Sequence, residues 1–226
     1  MSLTSIVGKL FLPRQRMLER YNNEAEALQQ SVLKHLIERE KDTEYGRNHL
    51  LNRVKSYEDF TRNVPVNTYE ELKTDIDRMR HGEHNVLCQG GVKWYAKSSG
   101  TTNDKSKFIP VSHEGLQRIH YQGGKDVVAL YLRNHPHSRL FDGKSLILGG
   151  SHAPNYNLPG SLVGDLSAIL IENINPLANI ARVPCKQTAL LSDFEVKRDR
   201  IARETMHKNV TNLSGVPSWM LSVLVR

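Results

Sequence analysis

The order of short apolar segments and longer helical segments is the feature that most limits how this chain folds. Residues 92–97 (VKWYAK), 107–111 (KFIPV) and 144–150 (KSLILGG) are short, apolar and bounded by turn residues, which is typical of β-strands. Stretches with helical periodicity precede the first segment and flank the third. Helices alternating with short strands indicate an α/β fold, which we predict here. Pro110 predicts that the second strand lies at a sheet edge or ends there, because proline donates no ladder hydrogen bond.

Residues 13–40 carry an apolar side chain every three or four positions. This spacing predicts one long amphipathic helix that packs through a single face, with Pro13 in its first turn. The predicted stripe consists of Met17, Tyr21, Ala25, Leu28, Val32 and Leu36.

Two capping signals predict where the next helices begin. Ser56 with Asp59 is close to a capping box, and Thr68 with Glu71 forms one. Gly82 suits the end of the helix that Thr68 begins.

Further helices are predicted in the second half of the chain. Ser112 is expected to cap a helix over 113–133 that Gly123 and Gly124 interrupt. LSAILIENI is apolar and is consistent with either helix or strand. A basic helix is expected from Asp193 to Lys208, another begins within GVPSWMLSVLVR, and residues 151–165 are predicted to be a loop.

The composition excludes several classes of protein. The chain has 226 residues, of which 38% are hydrophobic and 24% charged, enough for one large folded domain or two small ones. No apolar run reaches the roughly 18 residues that span a bilayer, and the N-terminus lacks the features of a signal peptide. The net charge of +7 is spread over helices of mixed sign, which predicts neither a nucleic-acid nor a membrane partner. Cys88 and Cys185 lie far apart, as expected of a reduced cytoplasmic protein.

The least apolar stretch lies between the first two predicted strands. From Ser98 to Lys107 it reads SSGTTNDKSK, and we call it the hydroxyl loop. Proteins bind phosphate with backbone N–H groups in tight turns, hydroxyl donors and a nearby cation. The stretch is therefore either a phosphate-binding loop or an ordinary flexible hairpin loop. It is not a Walker A motif, because the only GKS, at 143–145, follows no correctly spaced glycine and precedes a strand.

The hydroxyl loop resembles the phosphate-binding motif of adenylate-forming enzymes. Together with TEYGRNH, VPVNTYEELKTDIDRMRHGEHNVL and SGVPSWML, it is similar to the auxin-responsive Gretchen Hagen family of acyl-acid amido synthetases, and more to bacterial than to plant members. The resemblance covers nearly the whole chain. It implies a reaction in which Mg-ATP activates a carboxylic acid as an acyl-adenylate and releases pyrophosphate. An amine, often an amino acid, then attacks the acyl carbon.

The resemblance also implies which residues contact the ligands. Those expected at the ATP phosphates are Ser98, Ser99, Gly100, Thr101, Thr102 and Lys107. Asp104 stands where the family commonly has glycine, and a carboxylate near phosphates is unfavourable unless a metal or Lys105 offsets it. The helix after the loop is expected to face the acid, with Tyr121, Gln122 and Lys125 as candidate contacts. The alternative is that these three belong to a packing face with solvated polar groups.

Two stretches containing histidine fall outside this pattern. GGSH at 149–152 ends a predicted strand, where sites of α/β proteins usually lie, but the sequence shows no partner for His152. HPH at 135–137 predicts a turn that ends a helix rather than a metal site.

Several parts of the family pattern are not found in the chain. They are an aromatic-x-x-Ser/Thr-Glu motif for adenine and metal, an aspartate for the ribose, and a small mobile C-terminal domain. We therefore interpret residues 1–226 as an incomplete N-terminal adenylate-forming domain, inactive alone, with no metal ligand of its own and the Mg²⁺ ligands outside it. Two alternatives stay open: a non-catalytic phosphate-binding or interaction protein derived from such an enzyme, and part of an acyl-CoA ligase. The acid, the amine and the oligomeric state are not specified.

Overall fold

The computed structural model describes residues 3–98 and 106–225, in which helices alternate with short strands. The α-helices are α1 (Leu3–Glu40), α2 (Glu44–Asn48), α3 (Tyr57–Asn63), α4 (Tyr69–Arg80), α5 (Gln122–Asn134), α6 (Leu166–Asn173), α7 (Lys186–Ala189), α8 (Phe194–Thr205) and α9 (Pro217–Leu224). The strands are β1 (Trp94–Lys97), β2 (Phe108–Val111), β3 (Lys144–Ile147), β4 (Leu162–Gly164), β5 (Arg182–Val183) and β6 (Val210–Ser214). A π-helical segment (Gly115–Tyr121) leads into α5. The α/β class is confirmed.

The strands form two small sheets. In the first sheet the order is β2-β1-β4, with β1 antiparallel to β2 and parallel to β4. In the second the order is β5-β3-β6, and β3 is parallel to both neighbours. β2, which contains Pro110, lies at a sheet edge, as the sequence predicts.

Apolar side chains cover both faces of the first sheet. The face toward α4 buries Ile76, Met79, Tyr95 and Val163. The opposite face buries Trp94, Val111, Leu116 and Ile169. The β1 side chains alternate between these two layers, because successive residues of a strand point to opposite faces. The second sheet has its own cluster, which includes Leu146, Val183, Ile201, Met220 and Val223.

The first helix differs from its prediction. It begins at Leu3 instead of residue 13, contains Pro13 in its interior and has non-helical backbone angles at Glu24. The predicted stripe is not a packing face, since Tyr21, Val32 and Leu36 are exposed. The two buried side chains of the helix are polar. Buried Gln15 donates its side-chain N–H to the carbonyl of Ala129 in α5 at 3.0 Å, and the buried Thr4 hydroxyl donates to Asp142 at 2.9 Å.

The predicted caps are confirmed, whereas some later elements were missed. The hydroxyls of Ser56, Thr68 and Ser112 each accept a hydrogen bond from the backbone N–H three residues on. LSAILIENI is largely the helix α6. Two predictions were wrong. Gly123 and Gly124 do not interrupt their helix, whose irregular part is the preceding π-helical segment. The expected loop 151–165 contains β4, a three-residue strand too short to show alternation.

An ion cluster ties the C-terminal half of α1 to the chain just after β2. The Glu114 carboxylate is 17% exposed and accepts a hydrogen bond from His35 Nε2 at 2.8 Å. It also pairs with Arg39 and with Arg118. The hydrogen bond from His35, followed by the two arginine charges, holds the pKa of Glu114 below its ordinary value.

Replacing Glu114 with glutamine is expected to lower the free energy of unfolding by about 1–2 kcal/mol at pH 7, because a charge-assisted network is lost. A lowered folded-state pKa means that this contribution is complete above the ordinary carboxyl pKa and is lost as the pH falls through the folded-state value. Urea unfolding at pH 7 and at about pH 3 measures both effects. Glu19→Gln, at an exposed position of α1, should change neither. Equal destabilisation at both pH values would contradict the charge explanation.

Candidate functional site

The hydroxyl loop connects β1 to β2 in the antiparallel hairpin. The backbone N–H of Ser98 donates to the carbonyl of Lys107 at 2.9 Å. The backbone N–H of Lys107 donates to Ser98 Oγ at 3.3 Å. The two ends of the loop are therefore fastened together. Four of the predicted phosphate contacts (Ser99, Gly100, Thr101 and Thr102) lie outside the described residues, whereas Ser98 and Lys107 lie within them.

Tyr69 contacts the hairpin on the β2 side of the loop. It is the first residue of α4, and the reciprocal Thr68–Glu71 capping box fixes the start of that helix. The Tyr69 hydroxyl oxygen accepts a hydrogen bond from the backbone N–H of Phe108 at 2.9 Å. Lys107 Nζ lies 5.3 Å from the centre of the Tyr69 ring. A helix cap that can be read from the sequence therefore places an aromatic ring beside the predicted phosphate-binding lysine.

A second cation and a second tyrosine lie on the β1 side. Lys97, the last residue of β1, has its Nζ 4.3 Å from the centre of the Tyr156 ring. Arg80 of α4 donates to the Tyr156 carbonyl at 2.8 Å, and its guanidinium carbon lies 3.9 Å from the centre of the Phe108 ring. The Phe108 and Tyr156 rings are 5.7 Å apart. Among the described residues, three cations and three aromatic rings thus lie at the base of the loop.

A buried tyrosine lies beneath this group. Tyr95 is fully buried, and burial raises its pKa to about 12. Its hydroxyl and Arg80 Nε have no hydrogen-bond partner among the described residues. The phenol is neutral at pH 7, so it does not cancel the positive charge of Arg80.

The predicted acid-binding residues lie on the other face of the sheet. The Tyr121 hydroxyl donates to the Leu170 carbonyl at 2.8 Å, and its ring packs on the cluster around Trp94. The Gln122 side chain donates to Asp126 at 2.9 Å. Lys125 is exposed. The polar groups of Tyr121 and Gln122 are therefore occupied by protein contacts, while Lys125 faces solvent.

His152 acquires neighbours that the sequence did not reveal. Its ring lies 5.2 Å from that of Trp94, and its Nε2 is 3.9 Å from a carboxylate oxygen of Glu172. Lys186 Nζ binds the other oxygen of Glu172 at 2.6 Å. His152 Nε2 is buried and forms no hydrogen bond within the described chain. The three side chains come from separate elements, so no local sequence pattern brings them together.

A buried lysine fixes the turn after β3. Lys197 is 5% exposed and donates to the carbonyls of Gly149 and Gly150 at 2.6 and 2.9 Å. Asp165 accepts from the backbone N–H of Ser151 at 2.9 Å. At Gly150 an added Cβ would come within 2.0 Å of the Asp165 carboxylate, which explains why glycine stands there. The sequence analysis missed Lys197, which lies within a basic helix that resembles a solvated surface.

The described residues contain no group of three or more His, Cys, Asp or Glu side chains arranged to hold a metal ion. No helix in the described ranges is both long enough and apolar enough to cross a bilayer.

Comparisons with known proteins identify what the chain is similar to. It matches the GH3 family N-terminal domain over residues 14–226. The indole-3-acetic acid-amido synthetase GH3.15 of Arabidopsis thaliana is 36% identical over 133 residues, which are 58% of this chain and 22% of the relative. GH3.5 of the same plant, also an indole-3-acetic acid-amido synthetase, is 32% identical over 104 residues, 46% of this chain and 17% of the relative.

Solved structures give the same result. A GH3.15 acyl acid amido synthetase superimposes with a TM-score of 0.75 at 25% identity, covering 93% of this chain and 37% of the other. A complex of that Arabidopsis synthetase with 2,4-DB gives a TM-score of 0.77 at 26% identity, with the same coverage. This chain thus spans little more than a third of the solved enzymes that it resembles.

Proposed function

Since this chain belongs to the GH3 family, we propose that it forms the phosphate-binding part of an ATP-dependent acyl acid amido synthetase. The observation that carries the proposal is the fastened hairpin, which holds Ser98 and Lys107 together at the base of the hydroxyl loop. In this proposal residues 1–226 form an incomplete N-terminal domain. The likeness to bacterial members and a cytoplasmic location remain predictions.

The residues near the loop fit the phosphates of ATP. Ser98 and Lys107 supply a hydroxyl and an ammonium group, and Ser99, Gly100, Thr101 and Thr102 complete the proposed set. Lys107 rests on an aromatic ring and forms no ion pair with the described residues, so its charge is available to an anion. ATP, when bound, would supply the adenylyl group and release pyrophosphate. The described residues offer no group of three or more metal-ligating side chains, and we propose that the Mg²⁺ ligands lie outside them.

The role of the loop in this reaction is electrostatic. Negative charge accumulates on the departing pyrophosphate, and donors that are already positioned stabilise such charge without reorganising. The hairpin supplies that positioning, because its ends are fixed by backbone hydrogen bonds and by Tyr69.

We further propose that the acid binds beside the helix that follows the loop. The relative in complex with 2,4-DB is described as an acyl acid amido synthetase. Of the three predicted contacts, exposed Lys125 is suited to pair with a carboxylate. Tyr121 and Gln122 would line the site, with their present hydrogen bonds holding them in place.

Calorimetric titration of the 226-residue protein with Mg-ATP and with pyrophosphate tests the phosphate-binding role. We expect measurable binding of both ligands, and we expect Lys107→Ala to weaken it about tenfold because a charge-assisted contact is removed. Lys93→Ala removes the same charge from the exposed position just before β1 and serves as the matched control. Wild-type affinity in Lys107→Ala would overturn the assignment of Lys107.

A further inference from the structure

The base of the hydroxyl loop carries a second lysine whose charge no described residue neutralises. Lys97 is the last residue of β1 and lies opposite Phe108 of β2. Lys107 is the residue just before Phe108, so the two lysines are close in the hairpin register. The Lys97 ammonium group lies against the Tyr156 ring, and neither lysine forms an ion pair within the described ranges. Arg80 adds a third cation on the same face of the sheet, with Asp77 as its only ion-pair partner in those ranges, at 3.7 Å.

This arrangement costs stability unless something binds to it. Two ammonium groups near the same end of a hairpin repel one another when no carboxylate offsets their charge. A surface lysine is normally solvated or paired with a carboxylate, but here both lie against aromatic rings. A ring attracts an ammonium group and fixes its position without cancelling its charge. Places where a chain departs from a local rule of stability are often functional sites.

We infer that Lys97 is a second phosphate-binding residue and that, with Lys107, it holds the polyphosphate group shared by ATP and pyrophosphate. The inference rests on the proposed function and extends it to a residue outside the hydroxyl loop. Two cations on opposite strands match a ligand with neighbouring phosphate groups better than one with a single phosphate, because each lysine can pair with a different group.

Tyr156 positions Lys97, and Arg80 positions Tyr156. The Arg80 guanidinium is largely buried against Phe108 and donates to the Tyr156 carbonyl. The Phe108 ring packs beside Tyr156 and is anchored through its own backbone to Tyr69. One connected set of contacts therefore leads to the rings that both lysines lie against.

Calorimetry on the 226-residue protein tests the inference with pyrophosphate, ATP and AMP as probes. We expect Lys97→Ala to weaken the binding of pyrophosphate and of ATP equally, by about tenfold. AMP, which lacks the shared group, should show no such change. The salt dependence of pyrophosphate binding should become shallower, because one screened charge pair is lost. Lys97→Arg should bind within about threefold of the wild type, since a guanidinium also stacks on an aromatic ring and binds phosphate.

Two comparisons exclude a purely structural role. Tyr156→Phe should bind pyrophosphate with the affinity of the wild type. Tyr156→Leu should bind it about threefold more weakly, because the ring beneath the Lys97 ammonium group is lost. Melting temperatures of all variants check that each is folded. Lys93→Ala, with the same loss of charge about 13 Å along the strand, should leave affinity unchanged.

The outcomes separate this inference from the proposed function. If the wild type binds and Lys97→Ala binds equally well, the Lys97 assignment is overturned while that of Lys107 stands. If Lys97→Ala weakens ATP but not pyrophosphate, Lys97 contacts the nucleoside end and the inference is wrong. If the wild type binds neither ligand, the proposed phosphate site itself fails, and this inference with it.

Discussion

Replacing Lys197 with methionine is expected to lower the free energy of unfolding by about 2–4 kcal/mol at pH 7. Methionine has similar length but no donor, so the buried carbonyls of Gly149 and Gly150 would lose the partner they have now. An unsatisfied buried carbonyl costs about 1–3 kcal/mol. Urea unfolding of the two proteins at equal concentration measures the difference. Lys208→Met, at an exposed position beyond the end of the same helix, should change stability by less than about 0.5 kcal/mol.

The pH dependence of this difference provides a second test. Burial lowers the pKa of Lys197 below its ordinary value of 10.5, with an opposing contribution from Asp165. The unfolded chain therefore keeps this proton to a higher pH than the folded chain does. Stability due to Lys197 should rise with pH between the lowered folded-state pKa and 10.5. The free energy of unfolding of the wild type should therefore increase relative to that of Lys197→Met as the pH approaches 10. Indistinguishable stabilities at both pH values would show that the turn does not depend on this lysine.

Signals that act within one turn of the chain were predictable from the sequence. The Thr68–Glu71 capping box is satisfied by residues three positions apart, so it can be recognised without the fold. The two strands that flank the hydroxyl loop were found because their ends carry strong turn residues. The contact between the capped helix and the hairpin was not predictable, since the hydrogen bond from Phe108 to Tyr69 joins residues 39 positions apart.

Periodicity identified the first helix but not the face that packs. The apolar stripe of α1 remains exposed, while Thr4 and Gln15 are buried. Hydrophobic spacing cannot predict this outcome, because Gln15 and Thr4 are buried by hydrogen bonds to α5 and to Asp142. Lys197 was missed for the same reason. A lysine in a helix of mixed charge is normally solvated, and only the packing of α8 against the turn after β3 buries it.

The candidate site was partly predictable. The hydroxyl loop and Lys107 followed from composition and resemblance. Lys97 and Tyr156 did not, because a tyrosine in a loop and a lysine at a strand end carry no distinctive pattern. They come together only because residues 151–153 pair with β4, which in turn pairs with β1. Sheet topology brings segments about sixty residues apart to one edge, and no window of sequence contains that information.

The 226-residue protein alone is expected to catalyse no acid-dependent ATP–pyrophosphate exchange. Adenylation requires the phosphates to be held while the adenine, the ribose and the acid are also positioned, since correct orientation supplies much of the acceleration. The chain spans 37% of the solved synthetases that it resembles, and the motifs for adenine and ribose were not found in it. Exchange of labelled pyrophosphate into ATP, with 2,4-DB as the acid and GH3.15 as the positive control, measures this activity.

We expect the protein to bind pyrophosphate without catalysing the exchange reaction. A protein that binds pyrophosphate but gives exchange at the level of the Lys107→Ala variant would behave as a phosphate-holding part of an enzyme. Acid-dependent exchange clearly above that variant would contradict the expectation, because a chain with only the hydroxyl loop would then be positioning the nucleotide and the acid as well. Since Lys107→Ala differs from the wild type by one side chain, the comparison also separates catalysis by this chain from a contaminating synthetase, which the substitution would leave unchanged.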